Sequence, residues 1–250
     1  MKAILLAAGQ GTRIRSAHGD RPKCLITFND SDWTILDQQI YGLLRAGVRE
    51  IGVVVGYEKD QIIGHIKKNR WGSLSRFTFI ENARFQETNN ICSLWLAREW
   101  LNGDSFVALN ADVAFDPNIL SPAVTSTSPV TMIVDPAWRD ETMKVVIRDH
   151  RIVRMGKQIT RNEFSATYIG ITVFGRHIVD RFFGKLDRLI REGHHKVFFN
   201  VAVQQLIEED VRVEYSLTLG RPWAEIDDPG DLAFARSHVF PKLASVDAAA

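Results

Sequence analysis

The stretch ILLAAGQGTRIRSAHGDRPKCLI, residues 4–26, decides how this chain is read. An apolar run ends at Gly9, and Arg13, Arg15, Arg21 and Lys23 then crowd into eleven positions against a single acid, Asp20. The run fits a strand covered on both faces. A glycine-rich turn carrying clustered cations after such a strand suits a phosphate ligand, because glycine lets backbone N–H groups approach an anion. Two familiar phosphate motifs fail here. Ile14 stands where a dinucleotide fingerprint needs its third glycine, and no G-x-x-x-x-G-K-[ST] run occurs.

Outward from this loop the chain alternates strand and helix. Apolar runs predict strands over 3–7, 50–56, 76–82 and 105–112. Leu36, Ile40, Leu43 and Leu44 lie at helical spacing over 34–46, closing at Gly47. Further helices are expected over 59–68 and from Asn89 or Asn90 to Trp100. Alternation of this kind implies an α/β fold: a Rossmann-like three-layer αβα sandwich around a mostly parallel, mixed sheet.

The rhythm changes after about residue 130. Residues 143–155 read as a hairpin around Asp149 and His150, 166–174 as a strand, and a basic helical stretch runs on to Arg191. A helix over 199–209, a strand over 211–217 and a last helix in 227–237, with proline at its start, complete the pattern. With no linker and no repeat, one domain is expected over 1–240, its segment 130–200 forming a lid and one cleft wall. Residues 241–250 are expected to be a flexible tail.

Bulk composition narrows the function classes. The chain has 250 residues, 45% hydrophobic and 24% charged, with a net charge of +1. That balance argues against a nucleic-acid binder, which needs a basic surplus on one face. Cys24 and Cys92 show no C-x-x-C spacing and read as reduced thiols of a cytoplasmic protein. The apolar segment 3–8 is shorter than a signal core of roughly 7–15 residues, and no run approaches the ~20 apolar residues of a membrane span. A soluble, cytoplasmic protein without membrane insertion is expected.

The pattern strand, A-A-G-x-G-T-R, short excursion, P-K resembles the sugar-phosphate nucleotidyltransferase-like superfamily, matched at residues 6–13 and at Pro22-Lys23. The resemblance covers roughly residues 1–238 and implies a nucleotide-diphospho-sugar transferase-like fold. It implies nucleotide contacts from Leu6, Ala8, Gly9, Gly11, Thr12, Arg13 and Ala111, with Arg13 and Lys23 as the catalytic cations. Their chemistry suits those roles: a guanidinium forks onto phosphate oxygens, and an ammonium is a compact point charge.

A triphosphate usually needs a hard cation held by carboxylates. Asp112 follows a buried strand, where open α/β sheets carry ligand-binding groups, and it corresponds to the family's first metal-binding aspartate. AEIDDPGDLAFA, residues 224–235, is similar to the closing family motif. That match implies Asp227 as second ligand and Glu225 as a supporting acid, with Mg2+ as the cofactor. Asp228 and Asp231 suit the start of the last helix.

Asn89, Asn90, Ser93, Leu94, Leu96 and Ala97 resemble the N-N-x-x-S-L-x-L-A run of the CTP-using branch, which includes phosphocholine and phosphonate cytidylyltransferases. By family position Asn82 and Asn89 approach the base. Residues 141–159 are similar to the branch's M-K-V…I-G-K segment and nominate Lys144 for the acceptor phosphate, whereas Lys157, closing a hairpin, reads as exposed. Trp138 and Tyr168 offer aromatic faces of the kind a quaternary ammonium needs.

The implied activity is magnesium-dependent transfer of CMP from CTP to a phosphocholine- or 2-aminoethylphosphonate-type acceptor, with an inositol or amino-acid phosphate also open, and with release of pyrophosphate. Two alternatives stay open: a sugar-1-phosphate nucleotidyltransferase using UTP, GTP or dTTP, and a non-catalytic nucleotide-binding module. The expected partners are CTP and the small acceptor, and a homodimer is admissible.

Overall fold

The computed structural model describes residues 1–28 and 32–243. Four strands carry the first half: β1 (Lys2–Ala7), β2 (Glu50–Val55), β3 (Arg76–Glu81) and β4 (Phe106–Asn110). They run parallel in the order β3-β2-β1-β4, with Leu5 opposite both Val53 and Leu109. Ile4 points to one side of the sheet and Ala3 and Leu5 to the other, all fully buried. A strand enclosed on both faces has no place for a polar side, which is why it reads as one apolar run.

The two cores under these faces belong to different helices. Helices α1 (Ile35–Arg45) and α2 (Lys59–Lys68) cover the Leu5 face. Helices α3 (Asn90–Leu96), α4 (Arg176–Arg191) and α5 (Asn200–Glu208) cover the Ile4 face. Three layers, αβα, result. Thr34 caps α1 in a reciprocal box with Asp37. The helix expected from Asn89 or Asn90 to Trp100 is instead two pieces, Asn90–Leu96 and Arg98–Leu101. At the join, Ala97 N–H turns to the carbonyl three residues back, tightening the ladder.

The second half adds β5 (Val113–Phe115), β6 (Val130–Asp135), β7 (Lys144–Arg148), β8 (Arg151–Gly156), β9 (Ala166–Phe174), β10 (Val213–Leu217) and β11 (Trp223–Glu225). Among the described residues β9 lies antiparallel between β4 and β6, and β10 closes the far edge of a nine-stranded sheet. The β7–β8 hairpin turns at Asp149 and His150, both left-handed, as the sequence suggests. β6 falls in a segment to which the sequence reading assigns no element. Its six residues are all buried, so no alternation marks it.

One register detail opens the cleft. Along the same flank of β9, Ile171 pairs with Leu109 of β4, whereas Thr167 pairs with Lys144 of β7. Tyr168, Ile169 and Gly170 lie between these two partners. Gly170 has φ +85°, and a Cβ there would come within 3.0 Å of Val113. The gap lies beside the C-terminal ends of β1 and β4, where such sheets receive ligands.

A third, smaller core ties the chain ends to this place. Ile14, Ile26 and Phe28 pack with Ile226, Leu232 and Phe240, and the Phe28 and Phe240 rings stack at 4.1 Å. This packing brings helix α6 (Pro229–Phe234) against the N-terminal loop. The flexible tail expected from residue 241 lies from residue 244 onward outside the described residues. Among the described residues no helix is long and apolar enough to cross a membrane.

Candidate active site

The glycine loop is shaped around one lysine. Gly11 adopts φ +59°, and a Cβ on it would stand 2.8 Å from Lys23 Cγ, so the residue must lack a side chain on both counts. Around Gly9 no atom lies within 4 Å of where a Cβ would stand. Lys23 follows Pro22 into a single 3-10 turn, which aims its stem under Gly11.

The two distant acids meet through a small second sheet. β11 pairs antiparallel with β5, setting Glu225 opposite Val113, and Ile226 N–H donates to the Asp112 carbonyl at 3.0 Å. Residues 112 and 227 therefore flank one ladder end. Lys23 Nζ lies 2.5 Å from Asp227 Oδ1 and 3.6 Å from Asp112 Oδ2. Arg13 Nη2 reaches Asp227 Oδ2 at 2.8 Å. Asp231 fixes the turn by accepting from the N–H groups of Asp227 and Asp228, and Asp228 caps α6.

These charges set one another. Burial works against the Lys23 charge, but Asp112 and Asp227 outweigh it and hold the ammonium above its ordinary range. Burial opposes the Asp227 charge too, yet Lys23 and Arg13 keep its carboxyl below the usual value. Asp112 goes the other way: burial dominates and raises it, with Lys23 opposing and Asp227 adding repulsion. Glu225 is pushed up to about 8 by burial, then by Asp112 and Asp227, so it is mostly protonated at neutral pH.

A hard divalent cation fits this donor set. Asp112 Oδ1 is buried and has no hydrogen-bond partner among the described residues, an expensive state for a carboxylate oxygen. No three His, Cys, Asp or Glu side chains among the described residues form a complete metal cage. Magnesium does not require one, since it is commonly held by one or two carboxylates, with phosphate oxygens and water supplying the rest.

A cavity of about 640 Å³ opens beside this cluster. Leu6, Ala8, Gly9, Asn82, Asn89 and Ala111 line one half. Trp138, Tyr168, Lys157 and Asn200 line the other, and Arg13, Asp112, Glu225 and Asp227 also border the space. Gly11 and Lys23 border a smaller hollow of about 90 Å³ that shares Leu6, Gly9, Ala111 and Asp112 with the larger one. Thr12 lines neither and is exposed.

The asparagines are already committed. Asn82 donates to Thr88 Oγ1 and Ser93 Oγ at 3.1 and 3.0 Å and accepts from Arg84 N–H. Asn89 accepts from Asn90 N–H at 2.7 Å while donating to the Lys196 carbonyl. Both shape the wall; Asn82 uses both amide N–H groups on its neighbours, whereas Asn89 uses one of its two.

The expectation for Lys144 needs correction. Its side chain is not part of the cavity lining: the residue is 3% exposed, and Nζ donates to the Thr142 carbonyl at 3.1 Å above the Trp138 ring. Lys157, read from sequence as merely exposed, does line the cavity. Tyr168 is buried in the floor with its hydroxyl paired to Thr172, and burial drives its phenol well above the usual range. Sequence reasoning missed Arg139, Glu141 and Asn200. Glu141 Oε2 lies 3.9 Å from Arg13, and the Arg139 guanidinium carbon lies over the Trp223 ring, 4.2 Å from its centre. They come from a loop and a helix start with no motif of their own.

Known proteins share this architecture. Residues 2–144, more than half of the chain, match the family model described as nucleotidyl transferase. The chain is 25% identical over 257 residues to the CTP:phosphoglutamine cytidylyltransferase of Campylobacter jejuni, covering 93% of this chain and 98% of that protein. The CTP:phosphocholine cytidylyltransferase of Streptococcus pneumoniae superposes with a TM-score of 0.76 at 25% identity, covering 94% of this chain and 97% of the other. The inositol-1-phosphate CTP transferase from T. maritima gives 0.78 at 22% identity and 98% coverage of each chain. The layers and sheet order are those of the nucleotide-diphospho-sugar transferase fold.

Proposed function

Because this chain belongs to the nucleotidyl transferase family, we propose that it is a magnesium-dependent cytidylyltransferase that joins CMP from CTP to a small phosphorylated or phosphonate acceptor and releases pyrophosphate. The observation that carries this reading is the meeting of Arg13 and Lys23 with Asp112 and Asp227 where the large cavity and the small hollow adjoin. A CTP-using relative aligned over nearly the whole chain supports the choice of nucleotide. The cytoplasm, where CTP is made and thiols such as Cys24 and Cys92 stay reduced, is the compartment that fits it.

The chemistry needs no general base. A phosphate or phosphonate oxygen is already largely ionised near pH 7 and can attack the α-phosphorus directly. Lys23 then supplies positive charge beside the reacting phosphorus, and Arg13 forks onto the triphosphate. In the free protein Asp227 holds both cations at the site, and the nucleotide and its metal take over those pairings when they bind. Asp112 and Asp227 would hold the magnesium ion, which would supply positive charge to offset that of the phosphates. Gly9 leaves room for the phosphates to approach the backbone.

The direct test is a pyrophosphate-release screen of CTP, UTP, GTP and dTTP against phosphocholine, 2-aminoethylphosphonate and sugar 1-phosphates. Turnover with CTP and a non-sugar acceptor is expected. Turnover confined to another nucleotide with a sugar 1-phosphate would replace this reading, and nucleotide binding without pyrophosphate would leave a non-catalytic module.

A further inference from the structure

Resting on the cytidylyltransferase reading, we propose that Gln39 is a positioning residue: its buried amide clips the chain on both sides of Asp112 and so sets that carboxylate for the metal.

Helix α1 carries three consecutive polar residues in the protein interior, Asp37, Gln38 and Gln39. Polar side chains buried in this way are costly unless each meets a partner. Asp37 is used locally. It closes the cap with Thr34, accepts from the Trp71 indole at 2.6 Å and lies 2.9 Å from His65 Nε2, tying the start of α1 to α2.

The two glutamines reach the other way, to β5. That strand is three residues long, and among the described residues its one strand neighbour is β11. On the edge facing β11, the Asp112 carbonyl accepts from Ile226 N–H, and Asp116 N–H donates to the Pro222 carbonyl. Backbone groups alternate along an antiparallel strand, so the carbonyls of Val113 and Phe115 point to the opposite edge. Side chains meet them there. Gln39 Nε2 donates to the Val113 carbonyl at 2.8 Å, and Gln38 Nε2 to the Phe115 carbonyl at 3.1 Å. The pair thus satisfies the backbone groups that a third strand would otherwise cover.

Gln39 does more than fill an edge. The same nitrogen also donates to the Asn110 carbonyl at 2.8 Å. Asn110 ends β4 and Val113 opens β5, so one amide spans the two-residue turn Ala111-Asp112. This clip consumes both of its N–H groups, while its Oε1 is buried without a partner among the described residues. An amide serving stability alone would satisfy its oxygen as well. The orphan oxygen fits a side chain held in place for its two donors. Asp112 needs such support, because its Oδ1 also lacks a partner among the described residues and Lys23 stands 3.6 Å from its Oδ2. A metal ligand must stand within about 0.5 Å of its productive place, and the groups behind it supply that precision.

The test is Mn2+ affinity in the presence of CTP, read by electron paramagnetic resonance on variants that circular dichroism shows to be folded. Gln39→Met keeps the length of the side chain and loses both donors; it is expected to weaken Mn2+ binding about 10- to 100-fold. Gln39→Asn, whose amide stops one methylene short of the two carbonyls, should do the same and serves where the methionine variant does not fold. Gln38→Met is the control. It gives up the Phe115 carbonyl and the Trp33 indole from the same helix but no contact flanking Asp112, so affinity should stay within about threefold. In an Asp112→Asn background the Gln39 substitution should have little further effect, because the residue acts through that carboxylate. Unchanged Mn2+ affinity in a folded Gln39 variant, an equal loss in Gln38→Met, or full additivity with Asp112→Asn would overturn the role of Gln39 while leaving the cytidylyltransferase reading intact. An Asp112→Asn variant that itself keeps its Mn2+ affinity would instead refute the metal site beneath it, and the proposal with it.

Discussion

Replacing Lys23 by alanine removes a charge that both acids share. Its ammonium lies 2.5 Å from Asp227 and 3.6 Å from Asp112, with only 15% of the side chain exposed. At such distances a unit charge interacts by about 4 kcal/mol at the effective dielectric of a protein surface, before desolvation is counted. Asp227 keeps Arg13 at 2.8 Å, but the half-buried Asp112 is left against a second carboxylate with no cation beside it among the described residues. Two opposite effects follow. The free enzyme should bind a divalent cation more readily, because a competing ammonium is gone. The chemical step should slow by about 10²–10³, the cost of one preorganised charge donor at the reacting phosphorus. Rapid-quench single turnover with saturating CTP and acceptor separates the step from binding, and a titration of the apo-protein with Mn2+ reads the other effect. Single-turnover rates within about threefold of the unaltered enzyme would refute the assignment of Lys23 to the reaction.

Three further outcomes follow from particular contacts. Gly11→Ala combines a left-handed backbone with a Cβ 2.8 Å from Lys23 Cγ, so a loss of about 1–3 kcal/mol in urea unfolding, together with reduced kcat, is expected. Asp37, buried under Thr34, His65 and Trp71, is held below its ordinary pKa of 3.8 because these partners outweigh burial. That depressed carboxyl stabilises the fold fully above the unfolded value, and its contribution fades as pH falls through the lower folded one. Asp37→Asn should therefore cost about 3 kcal/mol at pH 7, with a gap that narrows below pH 4 in urea titrations. Glu225 has the reverse sign: its folded pKa of about 8 lies above its ordinary 4.5, so its ionisation opposes folding as pH rises between those values. In metal-free buffer, Glu225→Gln should raise the melting temperature relative to the unaltered protein increasingly from pH 5 to 8, levelling off above that.

Much of this was legible in the sequence, for identifiable reasons. The loop after β1 announces itself because a left-handed turn and a lysine stem demand glycine at position 11. Alternating strands and helices betray the layers because each buried strand reads as an apolar block. β6 escaped notice since its six residues are buried throughout, and β5 and β11 because three residues carry no period. Yet that short pairing brings Asp112 beside Asp227. A motif could nominate both acids, but their contact depends on a ladder between residues more than a hundred positions apart. The Lys144 expectation failed on local folding: its ammonium lies over the Trp138 ring and donates to a carbonyl two residues away. Arg139 and Asn200 sit in a loop and at a helix start, where orientation is decided by what packs around them.

The central claim is that the acids at 112 and 227 jointly hold a divalent ion on the nucleotide's phosphates. It is tested most directly by Mn2+ affinity in the presence of CTP, read by electron paramagnetic resonance, for the unaltered protein and for Asp112→Asn and Asp227→Asn. Each single variant is predicted to weaken the protein-bound Mn2+–CTP complex at least tenfold, with the double variant little worse than either. Unchanged Mn2+ affinity in the double variant would contradict the account.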